Sequence, residues 1–402
     1  MSKLDTSRPV LLLGGGASTL AAARSLGKVG IPVYASGSQG CRAMYSRYCK
    51  SAFPVPPGGG TKRWWHQILL DEPLPELAGA MILVGCDESL EFVEDNAEAL
   101  RKHYLVEDFV PELRRAMLDK LETLRLARSV GVPTPNFWAV TKPEDVLAVK
   151  DELRFPVMVK PHNSYTFMEE FGCKLFIVEE GIEEVAAKVK LCTERGHKVM
   201  VVEMIPGPDN LLSSYYTYRT PEGKLLYDYT KSVIRRWPVN RGGACFHQSE
   251  WLPETAKMGR RLFDGIGWQG IGNVEFKRDP RDGQFKIIEV NGRLTAGHPL
   301  VTQSGAPIDL AIYCHLTGQE VPEIGDYSQS LRQWDPVRDF MAYRQLRSRG
   351  ELSFIGWLRS LFAQRLILPF FSFDDPRPGL SEIRALLRRR LMPRRRVASH
   401  AD

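Results

Sequence analysis

Long apolar runs are missing from this sequence. The N-terminal stretch MSKLDTSRPVLLLGGG has only the four apolar residues Val10–Leu13 before its glycines, and the longest run in the aromatic C-terminal part is 366–371. A membrane-spanning helix needs about 20 apolar residues, so none is expected. The start of the chain does not read as a secretory leader either, which places the protein in the cytoplasm. Cysteine is sparse and unpatterned: Cys41, Cys49, Cys86, Cys173, Cys192, Cys245 and Cys314 are seven in number, and no two form a CxxC. That argues against a disulfide framework and a zinc site. Sustained charge of one sign is absent as well. The formal net charge is +6, and Arg384, Arg388, Arg389, Arg390, Arg394, Arg395 and Arg396 crowd the last twenty residues. The remaining body is near neutral, so a surface built to grip nucleic acid is not indicated. No repeat at a solenoid period is visible.

What is present is a soluble composition, 43% hydrophobic and 25% charged over 402 residues, enough for two or three domains. Residues 9–16 (PVLLLGGG) read as a buried strand running into a glycine turn, 18–29 as a helix, and 31–35 and 80–84 as further strands, the start of an open α/β sheet. The composition changes near 110, where PELRRAMLDKLETLRLARSVGVPTPNF reads as one helix of about four turns stopped by Gly131 and prolines. FPVMVKP, CKLFIVEE, IEEVAAKVKLCTERG and HKVMVVEMIPG then suit a small α+β lobe. Two hairpins follow, LLSSYYTYRT with LLYDYTKSVI, and GIGNVEFKRD with QFKIIEVNGR, the second closed by PRDG. The expected divisions are 1–110, 111–320 with a small lobe at about 155–206, and a helical, basic extension at 321–402.

The second hairpin carries the strongest chemical signal. In IIEVNGR, Glu289, Asn291 and Arg293 fall at every second position and so share one face of a strand. If the preceding strand pairs antiparallel, Glu275 comes near Glu289 on that face. Two carboxylates and an amide oxygen, with no histidine or thiol among them, make a magnesium-type donor set. Arg293 is then placed for a transferring phosphoryl group. The same pattern also fits a solvated edge strand whose charges pair with each other. Upstream, Lys120 and Lys160 stand at element ends, where a lysine can reach into a cleft and hold phosphate. Glu203, Met204 and Ile205 sit where VMVVEMIPG runs into its turn, a place to read the amino edge of adenine.

In that order, Lys120 before GVPTP, PVMVKP, VVEMIPGPD, NVEF and IIEVNGR resemble the ATP-grasp superfamily, and within it the stand-alone carboxylate–amine ligases. The resemblance covers roughly 8–320, with NVEF and EVNGR its most specific part. It implies an open α/β N-terminal domain followed by a two-subdomain ATP-grasp fold that holds ATP and Mg²⁺, with Mn²⁺ as a substitute. It further implies that Lys120 and Lys160 contact the phosphates, Glu203 to Ile205 form the adenine hinge, and Asp209 takes the ribose. Glu275, Glu289 and Asn291 would bind the metal, Arg293 would steady the phosphoryl group, and Lys231 and Arg235 would add phosphate contacts. Small-molecule acid and amine substrates, a homodimer and an acyl phosphate intermediate are implied with them. One departure stands out: the family's glycine-rich lid after the second lysine is replaced by the bulky HNSYTFMEEFGCK, to which Lys174 belongs.

Rival readings are open. The GGG at 14–16 follows a strand and opens a helix, yet it lacks the GxGxxG spacing, and no Asp or Glu ends the next strand, so a nicotinamide site is disfavoured. Asp87 and Glu88 read as acids favoured at a helix start. Arg236 and Arg241 are candidates to anchor a substrate carboxylate, and His298 is a candidate acceptor contact or a structural histidine. A bicarbonate-using or carbamoyl-phosphate-type enzyme would use the same donor set, and a catalytically weak ATP-binding subunit would fit the glycine-poor lid. The C-terminal segment suits packing helices, a partner-docking tail, or a peripheral membrane contact through Trp357, Leu358, Phe362 and the arginines, at the inner face of the membrane.

Overall fold

The computed structural model describes residues 4–323 and 325–391. Its first layer is a parallel sheet of β1 (Val10–Leu13), β2 (Val33–Gly37), β3 (Cys49–Pro54) and β4 (Met81–Val84) in the order β3-β2-β1-β4. Strand β1 is apolar at every position because both its faces are covered, as a parallel strand between helices requires. The turn after it needs glycine: Gly14 and Gly15 have φ of 65° and 73°, and a Cβ on Gly14 would strike the Cys86 sulfur.

The small lobe is an antiparallel sheet of β5 (Phe137–Val140), β6 (Val157–Pro161), β7 (Phe176–Val178) and β8 (Val199–Glu203), ordered β5-β8-β6-β7. Its inner face packs Val157, Val159, Val199 and Val201 on the helix Ile182–Glu194. The large sheet is built from β9 (Leu212–Arg219), β10 (Leu225–Trp237), β11 (Gly243–Ser249), β12 (Gly270–Arg278), β13 (Phe285–Asn291), β14 (Leu331–Trp334) and β15 (Arg365–Ile367). The order is β13-β12-β9-β10-β11-β14-β15. Tyr216, Tyr218, Tyr227 and Tyr229 from this sheet share one core with Val10, Leu12 and Leu26 of the first layer, through Ile308 and Ile312 between them. The first layer is thus cemented to the large sheet.

Two elements differ from the sequence reading. The single helix expected after residue 110 is broken into Pro111–Leu118 and Lys120–Ser129. Asp119 breaks it by capping the second piece, its carboxylate accepting from the Leu121 and Glu122 backbone N–H groups at 2.8 and 3.2 Å. The C-terminal extension is not helical throughout: β14 and β15 extend the large sheet, β14 running antiparallel to β11. Arg389 and Arg390 lie in its last helix, Arg377–Leu391, while Arg394, Arg395 and Arg396 lie outside the described residues.

Candidate active site

Strands β12 and β13 pair in the register Asn273↔Asn291 and Glu275↔Glu289. Extended across β9 and β10, the same register aligns Glu289, Glu275, Ser214 and Lys231 in one cross-strand row. Directly paired residues share a face, so Lys231 stands on the carboxylates' side, two strands away. It is buried, and Glu275 is the carboxylate that opposes its loss of charge.

This face forms one wall of a cavity of about 460 Å³. Lys120, Lys160, Met204, Ile205, Glu275, Glu289, Asn291 and Arg293 all line it, with Lys174, Arg236, Arg241 and Lys277. Lys120 arrives as the first residue of the capped helix, and Lys160 from β6 of the small lobe. The glycine-poor segment after Lys160 forms a helix, Ser164–Phe171, whose buried Phe167 packs on Phe171, Phe176 and His197. Lys174 follows this helix into the cavity wall.

The charges are tuned by one another. Burial and the neighbouring Glu289 push the Glu275 carboxyl up. Burial acts the same way on Glu289, but Lys120, Lys160 and Lys174 outweigh it and hold that carboxyl low. Burial and the adjacent Lys120 depress Lys160 to about 8. Opposed carboxylates on one side and crowded ammonium groups on the other are the arrangement that an intervening cation and polyphosphate would relieve.

The Asn291 amide is oriented by a chain of hydrogen bonds. Asn273 donates its NH₂ to the Tyr215 carbonyl at 3.1 Å, so its oxygen is the acceptor for the Asn291 NH₂ at 3.2 Å. That leaves the oxygen as the end of the Asn291 amide not engaged by Asn273, a hard donor on a residue that lines the cavity with Glu275 and Glu289. Among the described residues no three His, Cys, Asp or Glu side chains converge, so a bound cation would rest on two carboxylates and this amide. That set fits Mg²⁺ in number and hardness, with positions left for phosphate oxygens.

Four expected residues are placed differently. The Glu203 carboxylate does not line the cavity; it turns to Arg281 of the hairpin loop. The Ile205 carbonyl beside it accepts from the Lys277 ammonium at 3.0 Å, and burial with the nearby Arg236 lowers Lys277 to about 8. Asp209 is off the cavity, held by Arg236 Nε at 2.6 Å and the Asn240 N–H at 3.2 Å. Lys231 is on the sheet face but behind the lining. Arg235 points away altogether. Register shifts in β10 on either side of it break the two-residue alternation, turning Arg236 to the cavity and Arg235 outward. There Arg235 forms a bidentate pair with buried Asp339 at 2.6 and 3.1 Å.

Residues to which sequence reasoning gives no role in the site also contribute, Asp87 among them, which reads only as an acid favoured at a helix start. Asp87, from the first layer, accepts from Arg293 Nε at 2.6 Å, and this pair keeps the guanidinium charged and placed. No spacing signals a contact between residues so far apart in the chain. Asn273 and Lys277 lie two residues either side of Glu275 and were accessible to the same period-two argument. His298 is buried and faces Asp309, Nε2 to Oδ2 3.4 Å, rather than the cavity.

A nucleotide-sized cavity between a small antiparallel lobe and a large sheet, with a Glu–Glu–Asn set below and lysines above, decides the architecture. The chain carries an ATP-grasp fold. The family model described as "Carbamoyl-phosphate synthase L chain, ATP binding domain" matches residues 252–315, which span β12 and β13. D-alanine–D-alanine ligase of Pseudomonas entomophila (strain L48) is 27% identical over 43% of this chain and 54% of its own length. D-aspartate ligase of Enterococcus faecium (strain Aus0004) is 25% identical over 56% of each. The chain therefore spans about half the length of these curated relatives. The solved biotin carboxylase complex from Campylobacter jejuni superposes with a TM-score of 0.62 at 18% identity, covering 81% of this chain and 75% of that one. The likeness in fold thus extends well beyond the segment that the family model matches.

Proposed function

We propose that the protein is an ATP- and Mg²⁺-dependent carboxylate–amine ligase working through an acyl phosphate and releasing ADP and phosphate. The observation that carries this reading is the Glu275–Glu289 pair with Asn291, facing Lys120, Lys160 and Arg293 across one cavity. Met204 and Ile205 would flank the adenine, and Lys120, Lys160 and Lys174 would hold the phosphates. Mg²⁺, or Mn²⁺ in its place, would supply charge neutralisation on the phosphate oxygens, resting on Glu275, Glu289 and Asn291. Arg293, fixed by Asp87, would stabilise the phosphoryl group as the substrate carboxylate attacks it, and then the oxyanion formed when the amine displaces phosphate. Arg241, in the cavity wall, would bind an anionic part of the substrate. The ligase names of the two curated relatives support an amide-forming reaction on small molecules.

A screen of carboxylic acids against amines for ADP release, with Glu289→Ala as the dead control, tests the proposal; release that persists in Glu289→Ala refutes the metal assignment. The biotin carboxylase likeness and the carbamoyl-phosphate synthase match favour a second reading, in which bicarbonate is the activated acid. ADP release that depends on bicarbonate without any organic acid distinguishes it. Homodimer formation and a cytoplasmic location belong to the same proposal.

A further inference from the structure

The last helix, Arg377–Leu391, is fastened to the first layer along one side. Arg42 donates to Glu382 at 2.7 Å, while Gly379 packs on Phe371 of the segment that leads into the helix, where a Cβ would meet the ring at 3.0 Å. The segment leading into the helix is pinned by buried Asp375, which accepts from Arg24 Nε, Ser46 Oγ and the Arg47 N–H at 3.0, 2.7 and 2.9 Å. The side away from these contacts is apolar and bare: Leu380, Ile383 and Leu387 are 49%, 53% and 54% exposed. Their spacing of three and four puts them in one stripe, and the exposed Arg384 and Arg388 run along its margin.

We infer that this stripe is a docking surface for an anionic lipid bilayer. Leucine and isoleucine held half in water on a rigidly seated helix gain from entering the acyl boundary, while the flanking guanidinium groups meet the phosphates of the headgroups. The chain continues the same chemistry with Arg389, Arg390, Arg394, Arg395 and Arg396. Two copies packed stripe to stripe would bring Arg384 and Arg388 of each against those of the other, and a nucleic acid would leave the apolar residues without a partner. Among the described residues no helix is long and apolar enough to cross a membrane, so the helix would lie along the surface. Trp357, named from the sequence for this role, is occupied: its indole donates to Asp339 at 2.8 Å and its ring stacks on Tyr343.

The test is flotation of the full chain with vesicles of phosphatidylglycerol and phosphatidylcholine, beside vesicles of phosphatidylcholine alone. Flotation is expected with the anionic vesicles only. A triple change, Leu380→Ser with Ile383→Ser and Leu387→Ser, and a double change, Arg384→Glu with Arg388→Glu, should each lower the bound fraction on the order of tenfold with the melting temperature unchanged. The inference is overturned if the parent stays at the bottom of the gradient, or if the variants float as it does. It is equally overturned if the triple change dissolves a dimer of the parent without altering flotation, or if RNA is bound in place of lipid.

Discussion

Lys160 provides the most searching test of the phosphate-binding assignment, because its proton is loosely held before nucleotide arrives. Burial and Lys120 bring the ammonium down to about 8, whereas a bound triphosphate favours the charged form. Below that pH the lysine is charged in the free protein and binding needs no proton. Above it, each binding event must draw one from solution, so the affinity for a non-hydrolysable Mg²⁺–ATP analogue should fall about tenfold between pH 7 and pH 9. Calorimetry in two buffers of different ionisation enthalpy should show proton uptake approaching one per nucleotide at the upper end. Lys160→Arg, whose guanidinium stays charged throughout, should bind with little pH dependence, and Lys160→Met should bind weakly at every pH. Lys277 is also lowered to about 8, but it is tethered to the Ile205 and Gly207 carbonyls at 3.0 and 2.7 Å, so Lys277→Met serves as the control. Affinity that is flat from pH 7 to 9, or that declines equally in Lys160→Arg, would refute the reasoning.

Arg293→Ala should leave nucleotide affinity intact while turnover drops on the order of 10²-fold or more; Asp87→Asn should give a smaller loss of the same kind, and a shift confined to nucleotide affinity would contradict both. Removing Asp339 leaves Arg235 charged and buried without its partner, so Asp339→Ala should cost about 3–5 kcal/mol of stability, read as a lower denaturation midpoint. Once folded, that variant should retain its Mg²⁺ requirement, since Arg235 faces away from the cavity. Replacing Asn273 by Leu releases the Asn291 amide to rotate, and the Mg²⁺ concentration for half-maximal ADP release should rise about tenfold or more with the nucleotide KM at saturating Mg²⁺ little changed. An unaltered Mg²⁺ dependence would remove Asn273 from the site.

The parts of this site that could be read from the sequence are those set by local periodicity. A turn of PRDG between two alternating strands determines the hairpin register, and with it the Glu275–Glu289 opposition, because a slip of one residue would turn every polar side chain into the core. Lys160 followed from its place near the end of the apolar strand β6. Arg235, a phosphate contact that the resemblance implied, is displaced by a bulge in β10 that turns Arg236 to the cavity in its place, and nothing in LLYDYTKSVIRRW marks the irregularity. The break at Asp119 was visible in principle, since aspartate is a preferred helix cap, but the continuous helical pattern around it hid the signal. Contacts between layers were not legible at all: Asp87 with Arg293, and Asp339 with Arg235, depend on how separately folded segments meet.

The residues proposed for metal and phosphate sit on elements whose geometry is set locally, by β12, β13, β6 and the capped helix at Lys120. The arginine assigned to the moving phosphoryl group is instead held by Asp87, a residue of the first layer. The first layer is joined to the large sheet through the shared tyrosine core and the Asp375 strap. Nucleotide binding should therefore tolerate damage to that interface better than turnover does, because Arg293 is held in position across it by Asp87. Loosening the strap with Asp375→Asn, which weakens the hold on Arg24 and Arg47, should lower turnover while Mg²⁺–nucleotide affinity stays within about twofold. A parallel loss of both would mean that the interface shapes the whole cavity, and that Asp87 acts on more than Arg293.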